Sequence, residues 1–262
     1  MKKYWDTFWF CRKISIMKMM EYRTDFLFWA FISTLWTGFN LLFYTVIVSV
    51  NQNIAGWSLS EMYLLLGVFT VFDAIVWSFF YGCMRMYTEE VFSGEITFSL
   101  LKPIDPQFFI MTRYNSFSNI FRLIIGVVVI IWSLHLNQIE LTPLTFLTFL
   151  VAFLAGLLFF YSLWFMASTL SFWVEKLDNI NDAFGGIRSV FQVPYQVYTG
   201  VASTILTVLF PLGLVAAVPS EVLLGRGQAE LVVRLAIASL VALYVSRQFF
   251  FVSIKRFSGV AN

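Results

Sequence analysis

Charge is scarce in this sequence. Only 12% of its 262 residues are Asp, Glu, Lys or Arg, against 60% hydrophobic residues, whereas a soluble domain carries roughly 25% charged ones. Half the ordinary charge density cannot cover a water-soluble globule of this length, so lipid is the expected solvent for most of the surface. A bilayer satisfies no backbone polar groups, which leaves a helix bundle or a closed barrel. The alternation of a barrel strand over roughly ten residues is missing too, and the apolar runs are far longer. Helices remain, and the fold expected is an all-α membrane protein.

Cysteine and histidine are nearly absent. Cys11 and Cys83 suggest no disulfide framework, and on the orientation derived below both fall where thiols stay reduced. The one histidine, His135, supports neither a metal cluster nor a Ser-His pair. No catalytic residue and no metal site are expected. The chain has no Gly-x-x-x-x-Gly-Lys-Ser/Thr loop, hence no usual cradle for ATP phosphates. A net charge of +2 gives no reason to expect nucleic acid. Neither an internal repeat nor a domain boundary is visible, so residues 1–262 read as a single transmembrane domain. Met1 to Asp25 lacks an apolar core followed by a small-residue cleavage site, and the first span is expected to act as its own insertion signal.

What is there is a series of long apolar runs, each near the roughly 20 residues a span needs. They cover Phe26–Val50, Leu59–Met84, about Phe117–Leu136, Leu144–Val174 and Leu231–Val252. Between the last two, Ile180–Gly200 holds Asn181, Asp182, Arg188, Gln192, Pro194 and Gln196, too polar for a lipid-facing helix, and Val201–Val218 is short and broken by Pro211. Two readings fit. Either 180–200 lies at the cytoplasmic interface and 201–218 spans, or the polar piece spans inside the bundle and 201–218 is a re-entrant hairpin. Both give about six transmembrane helices.

Lys and Arg set the orientation. One side receives Lys2, Lys3, Arg12, Lys13, Lys18, Arg23, Arg85, Lys102, Arg113, Lys176, Lys255 and Arg256; the other receives Arg226, with Arg234 just inside the last run. Both termini are expected in the cytoplasm. Residues 1–25 mix Trp5, Phe8, Trp9, Ile16, Met19 and Met20 on one helical side with basic residues, and read as a helix lying on the inner leaflet. Arg12 and Arg23 fall among the apolar residues, where long side chains can snorkel.

Residues 85–116 form the most informative stretch. An acidic helix end with Glu89 and Glu90 meets a break at Gly94; Glu95 and a short amphipathic turn, Ile96 to Leu101, follow; Pro103-Ile104-Asp105-Pro106 then stops it. Each proline keeps the residue before it out of the helix. The result is a stiff cytoplasmic foot that can pass movement from a soluble partner to the spans it joins.

Here the sequence resembles the type-2 permeases of prokaryotic ATP-binding-cassette exporters. Gly94, Glu95, Leu100, Leu101, Pro103, Asp105 and Pro106 match a phrase those permeases carry between their second and third spans. Gly56-Trp57-Ser58 and the Phe210-Pro211 to Val218-Pro219 to Leu224-Gly225 series fit as well. The resemblance implies a dimer with a second permease subunit, identical or related, in the plasma membrane, and two separate cytoplasmic ATPase subunits docking on Glu89 to Pro106. ATP and Mg would belong to those partners, with no cofactor bound by this chain. It implies export of a hydrophobic or amphipathic substrate, and it favours the re-entrant reading, which leaves Arg188 in need of a partner.

Asp73 sits mid-way along the second run, where a charge is costly. It can contact substrate, pair with Arg122 of the third run, or serve packing; Asp73 and Arg122 are the candidates for the substrate pathway. Gly67, Gly126 and Gly156 permit close helix approach, although no Gly-x-x-x-Gly pair marks a dimer seam. The alternative reading is a secondary transporter or channel, which calls for inverted repeats or several ionisable residues within the spans.

Overall fold

A computed structural model describes residues 2–51, 53–174 and 179–256, and every named element among them is helical. Helices α1 (Lys2–Glu21) and α2 (Arg23–Asn51) meet at Tyr22. α3 (Leu59–Ile75) runs through a π-helical turn, Val76–Tyr81, into α4 (Gly82–Ser93). The short α5 (Ile96–Leu100) and α6 (Pro106–Thr112) precede α7 (Ile120–Leu136) and α8 (Pro143–Thr169). α9 (Ile180–Ile187), α10 (Gly200–Thr204) and α11 (Leu214–Leu223) lead to α12 (Ala229–Arg256).

Local chemistry sets several starts. The Ser58 hydroxyl accepts the Glu61 amide while the Glu61 carboxylate takes the Ser58 N–H at 2.8 Å, a reciprocal cap that opens α3. Thr142 caps α8, and Pro143, with no N–H to leave unsatisfied, takes its first position.

α3 is the centre of the bundle, packed on α7 and α11, while α8 packs on α12 and α11. Phe72 of α3 meets Phe153, Phe160 and Phe191 edge-on. The three glycines do bring backbones together. A Cβ added to Gly126 would stand 2.9 Å from the Val71 backbone nitrogen, and one on Gly67 would stand 3.2 Å from the Gly126 oxygen. Gly156 likewise faces the Val215 carbonyl at 2.9 Å.

Among the described residues four helices are long and apolar enough to cross a membrane: Arg23–Val50, Leu59–Ser93, Pro143–Phe172 and Ala229–Lys255. Gly200–Leu209 and Pro211–Leu223 form a pair bent by 77°, a fifth if taken as one span. α7, with 17 residues, is about 25 Å long, the short limit for a span. The chain is a multi-pass membrane protein with four or five such spans, α7 being the apolar helix that would bring the count to the expected six.

Some details differ from expectation. Residues 85–93 continue the helix rather than forming loop, because nothing before Gly94 breaks it. α7 starts at Ile120, not Phe117, which puts Arg122 in its first turn. Arg12 does not snorkel: it is buried and donates to the Thr112 carbonyl at 2.9 Å, while Trp5, Trp9 and Met20 face outward. Lys176, sorted to the inner side, lies outside the described residues, as does the side chain of Arg256.

The polar stretch 180–200 packs along the bundle, with Asn181, Phe191 and Pro194 buried and Asp182, Ser189, Gln196 and Thr199 exposed. Asn181 accepts from Trp164 Nε1 at 2.9 Å and donates to Thr88 at 3.0 Å. Phe191 packs between Phe72 and Phe160, and Gln196 donates to Glu221 at 2.6 Å. The segment's contacts thus run from Thr88 of α4 to Glu221 of α11.

Candidate functional site

Two features stand out, a foot built on residues 82–113 and a charged cavity beside it. The foot begins where Gly94, in the left-handed region with φ of +79°, ends α4. α5 then lies across the end of the bundle, Ile96 and Ser99 buried beneath it and Phe98 outward. Under this turn Arg113 grips Glu90: Nη2 stands 2.5 Å from its carboxylate, and Nη1 donates to Ser99 at 2.8 Å. Glu90 is therefore internal, at 8% exposure. Glu89, one residue earlier, faces solvent and pairs with Arg85, at 2.9 Å.

Asp105 fixes the second half. Its Oδ1 accepts the Phe108 amide at 3.0 Å, so that Pro106 opens α6 instead of merely stopping what precedes it. Its Oδ2 takes Arg247 Nη2 at 2.6 Å, and Arg247 Nη1 also donates to Gln107. Burial pushes the Asp105 carboxyl up, but Arg247 and the amides of Phe108 and Gln107 together outweigh it and hold it below the usual carboxylate value. α1 holds the same surface from the other side: Lys3 donates to the Pro103 carbonyl and Tyr4 meets Phe108 edge-on at 5.0 Å. What this scaffold presents outward is Phe92, Glu95, Phe98, Leu101, Lys102 and Pro103, with Phe98 72% and Leu101 76% exposed.

Behind the foot, three elements meet at Asp73. Arg122 Nη1 lies 2.5 Å from Oδ2, and Arg188 of the polar stretch pairs with Oδ1. Arg188 also donates to the Gly185 carbonyl at 3.1 Å and sits over the Trp77 ring at 4.7 Å. The triad borders a cavity of about 1280 Å³ between α1 and α2 on one side and the central rod, α7 and α9 on the other. Trp29, Trp36, Phe69, Trp77 and Phe117 line it. Among the described residues no group of three His, Cys, Asp or Glu could hold a metal ion.

A family model described as "ABC-2 family transporter protein" matches residues 34–261. The chain belongs to the ABC-2 transporter family. Comparison with curated proteins and with solved structures gives no match. An ABC-2 permease is the membrane-spanning subunit of an ATP-binding-cassette transporter; it associates with ABC ATPase subunits and is not itself the ATPase.

The permease brings its sequence-flagged residues together unevenly. Asp73 and Arg122 do meet, and Arg188 acquires the partner the sequence could not name. Gly94, Glu95, Leu101 and Pro103 stand at the outer face of the foot; Leu100 packs inward on the core, Glu90 turns in, and Asp105 and Pro106 build α6. Phe92, Phe98 and Arg247 drew no role from the sequence, and Arg113 only a place among the inner-side basic residues. Of these Phe98 was detectable, since it falls opposite Ile96 in a short amphipathic turn; the two arginines carry no local signal.

Proposed function

We propose that this permease exports a hydrophobic or amphipathic substrate from the cytoplasm of a prokaryotic cell, driven by ATP hydrolysed in two separate subunits that dock on the foot. Both termini and the foot face the cytoplasm, a placement the clustering of Lys and Arg on that side supports. A second permease subunit, identical or related, completes the pathway, and the outward apolar surface of α2 is available for it or for lipid. The polar stretch 180–200 crosses inside the bundle and the bent pair after it re-enters from outside; the chain of contacts from Thr88 to Glu221 supports that course.

One observation carries the reading. Outward-facing Phe98 and Leu101 are mounted on a turn tied to α4, α12 and α1, and α4 reaches the cavity wall with Gly82 and Arg85. Exposed apolar side chains on a braced scaffold are what a soluble partner needs for docking. A push there reaches the cavity walls through α4 without loss in a flexible loop.

The test is purification of the tagged chain from its own membrane in mild detergent. An ATP-hydrolysing subunit should accompany it in equal number, and inside-out vesicles holding both should accumulate substrate when given ATP. A chain that purifies without any ATPase, under conditions that keep it folded, removes the proposal.

A further inference from the structure

Two guanidinium groups share one carboxylate beside the cavity, and they are not equally satisfied. Arg188 has Asp73, the Gly185 carbonyl and the Trp77 ring. Arg122 has Asp73 at Nη1 alone; its Nε is buried without a hydrogen-bond partner, and the residue is 7% exposed. Elsewhere on the lining the charges of Lys18 and Asp25 cancel, and Arg85 is held by Glu89. One positive charge is therefore left over, and it sits at Arg122.

The position sharpens the imbalance. Arg122 lies in the first turn of α7, whose N-terminus carries the positive end of the helix dipole. Asn119, at the capping position, makes no side-chain bond to the free amides. A cation in that place is repelled by its own helix; Asp73 offsets this only in part, because it shares its one charge with Arg188, and a helix N-terminus without a side-chain cap is itself an anion site. The rest of the lining mixes uncharged polar residues, among them Ser33, Asn40 and Gln192, with an aromatic wall that includes Trp29, Trp36 and Trp77, and the space exceeds the roughly 300–1,000 Å³ of ordinary small-molecule pockets.

We propose that this cavity binds an amphipathic anion, its acidic group against Arg122 and the first turn of α7 and its apolar body along Trp29, Trp36 and Trp77. The inference rests on the transport reading above and names its substrate class. Cationic amphiphiles meet the uncompensated arginine and are refused. A carboxylate or phosphate on an apolar tail has two sources, an acidic lipid of the bilayer or a dissolved amphiphile, and both share this chemistry.

The test uses the whole chain in phosphatidylcholine nanodiscs and reads energy transfer from tryptophan to 11-(dansylamino)undecanoic acid and to its methyl ester. The acid should bind about tenfold or more tighter than the ester, the contribution of one hydrogen bond to a charged group. Arg122→Gln should bring the acid down to the ester and leave the ester unchanged. Equal binding of acid and ester by the unsubstituted chain, or a preference that survives in Arg122→Gln, overturns the proposal. Should Arg122→Gln fail to fold, Asp73→Asn keeps both arginines and removes their competing carboxylate; the acid must then tighten and the ester not, and no tightening overturns the proposal equally. Adding phosphatidylglycerol separates the sources: Arg122-dependent displacement of the acid assigns the site to a bilayer lipid, retention to a dissolved amphiphile, and each supports the acidic class. The measurement needs no ATPase. A cavity blind to the acid removes this inference and leaves the transport reading, whereas absence of an ATPase partner does the reverse.

Discussion

Asp105 and Arg247 join the foot to the last helix: Oδ2 of the one accepts from Nη2 of the other at 2.6 Å, while the same carboxylate caps α6 through the Phe108 amide. One side chain thus begins a helix and anchors it to another some distance along the chain. Movement of α6 relative to α12 must stretch this link, so the pair sets how stiffly the foot reports on the final span.

Replacing Asp105 by Asn keeps an acceptable cap and removes the ion pair. Arg247 is 45% exposed, so solvent screening limits the loss to about 1 kcal/mol or less. The readout is hydrogen exchange: amides of α6 should exchange faster in the variant while those of α8 do not. The pH dependence has a definite sign. The folded carboxyl titrates below its ordinary value of 3.8, so its stabilisation is fully present above that value and fades as pH falls through the folded one. The gap in melting temperature between the parent and the Asp105→Asn variant should be constant from pH 8 to about 5 and close only in stronger acid. A gap that already shrinks near neutrality contradicts the assignment.

Glu90 and Arg113 are each about one-tenth exposed, the side chains at 10% and 11%. Removing one partner strands the other. Glu90→Ala should cost about 3 kcal/mol of thermal stability, and Glu90→Ala with Arg113→Met should cost less than the single change. A single variant that melts like the parent would refute the burial of this pair.

The difference between Glu89 and Glu90 shows how much the sequence could disclose. Adjacent helical residues point about 100° apart, so both acidic side chains could not face the same partner, yet nothing local says which turns in. The decision comes from Arg113 and Ser99, brought beneath α4 only when the chain folds back at Gly94. Gly94 itself was legible, because a glycine after an acidic helix end is what a left-handed cap requires. The same holds for Asp73: its cost within the membrane announced a partner, and Arg122 was in view. Arg188 was not assigned to it, since a polar stretch of indeterminate placement offers no depth to match. Asp105 followed by Pro106 does carry a helix-start signal, capping residue then proline, which the reading of Pro106 as a stop obscured.

Packing of α3 on α7 depends on two glycines facing each other. Gly126→Ala would push a methyl group to 2.9 Å from the Val71 nitrogen and to 2.8 Å from a Val71 methyl, forcing the helices apart at about 1–3 kcal/mol. Gly38→Ala, in α2 with nothing within 4 Å of the added carbon, should instead stabilise the isolated chain by about 0.5–1 kcal/mol through helix propensity. Thermal unfolding in detergent checks both. A Gly38→Ala chain that is unharmed alone but fails to associate with a second copy would place α2 in the subunit interface.

The outer face of the foot allows docking to be separated from folding. Phe98 and Leu101 bury little within the chain, being 72% and 76% exposed, so alanine at both should change stability by no more than about 0.5 kcal/mol each. If they are anchors for the ATPase, each truncation costs about 1 kcal/mol or more of association, and together they weaken retention by about tenfold or more. Charge reversal of Glu89, Glu90 and Glu95 tests the same surface less cleanly, because Glu90 would destabilise the foot from within. Co-purification of the ATPase with the Phe98→Ala, Leu101→Ala chain, measured beside its melting temperature, is the decisive comparison. Normal melting with lost ATPase assigns the face to docking; normal melting with undiminished ATPase moves the docking site elsewhere on the inner surface.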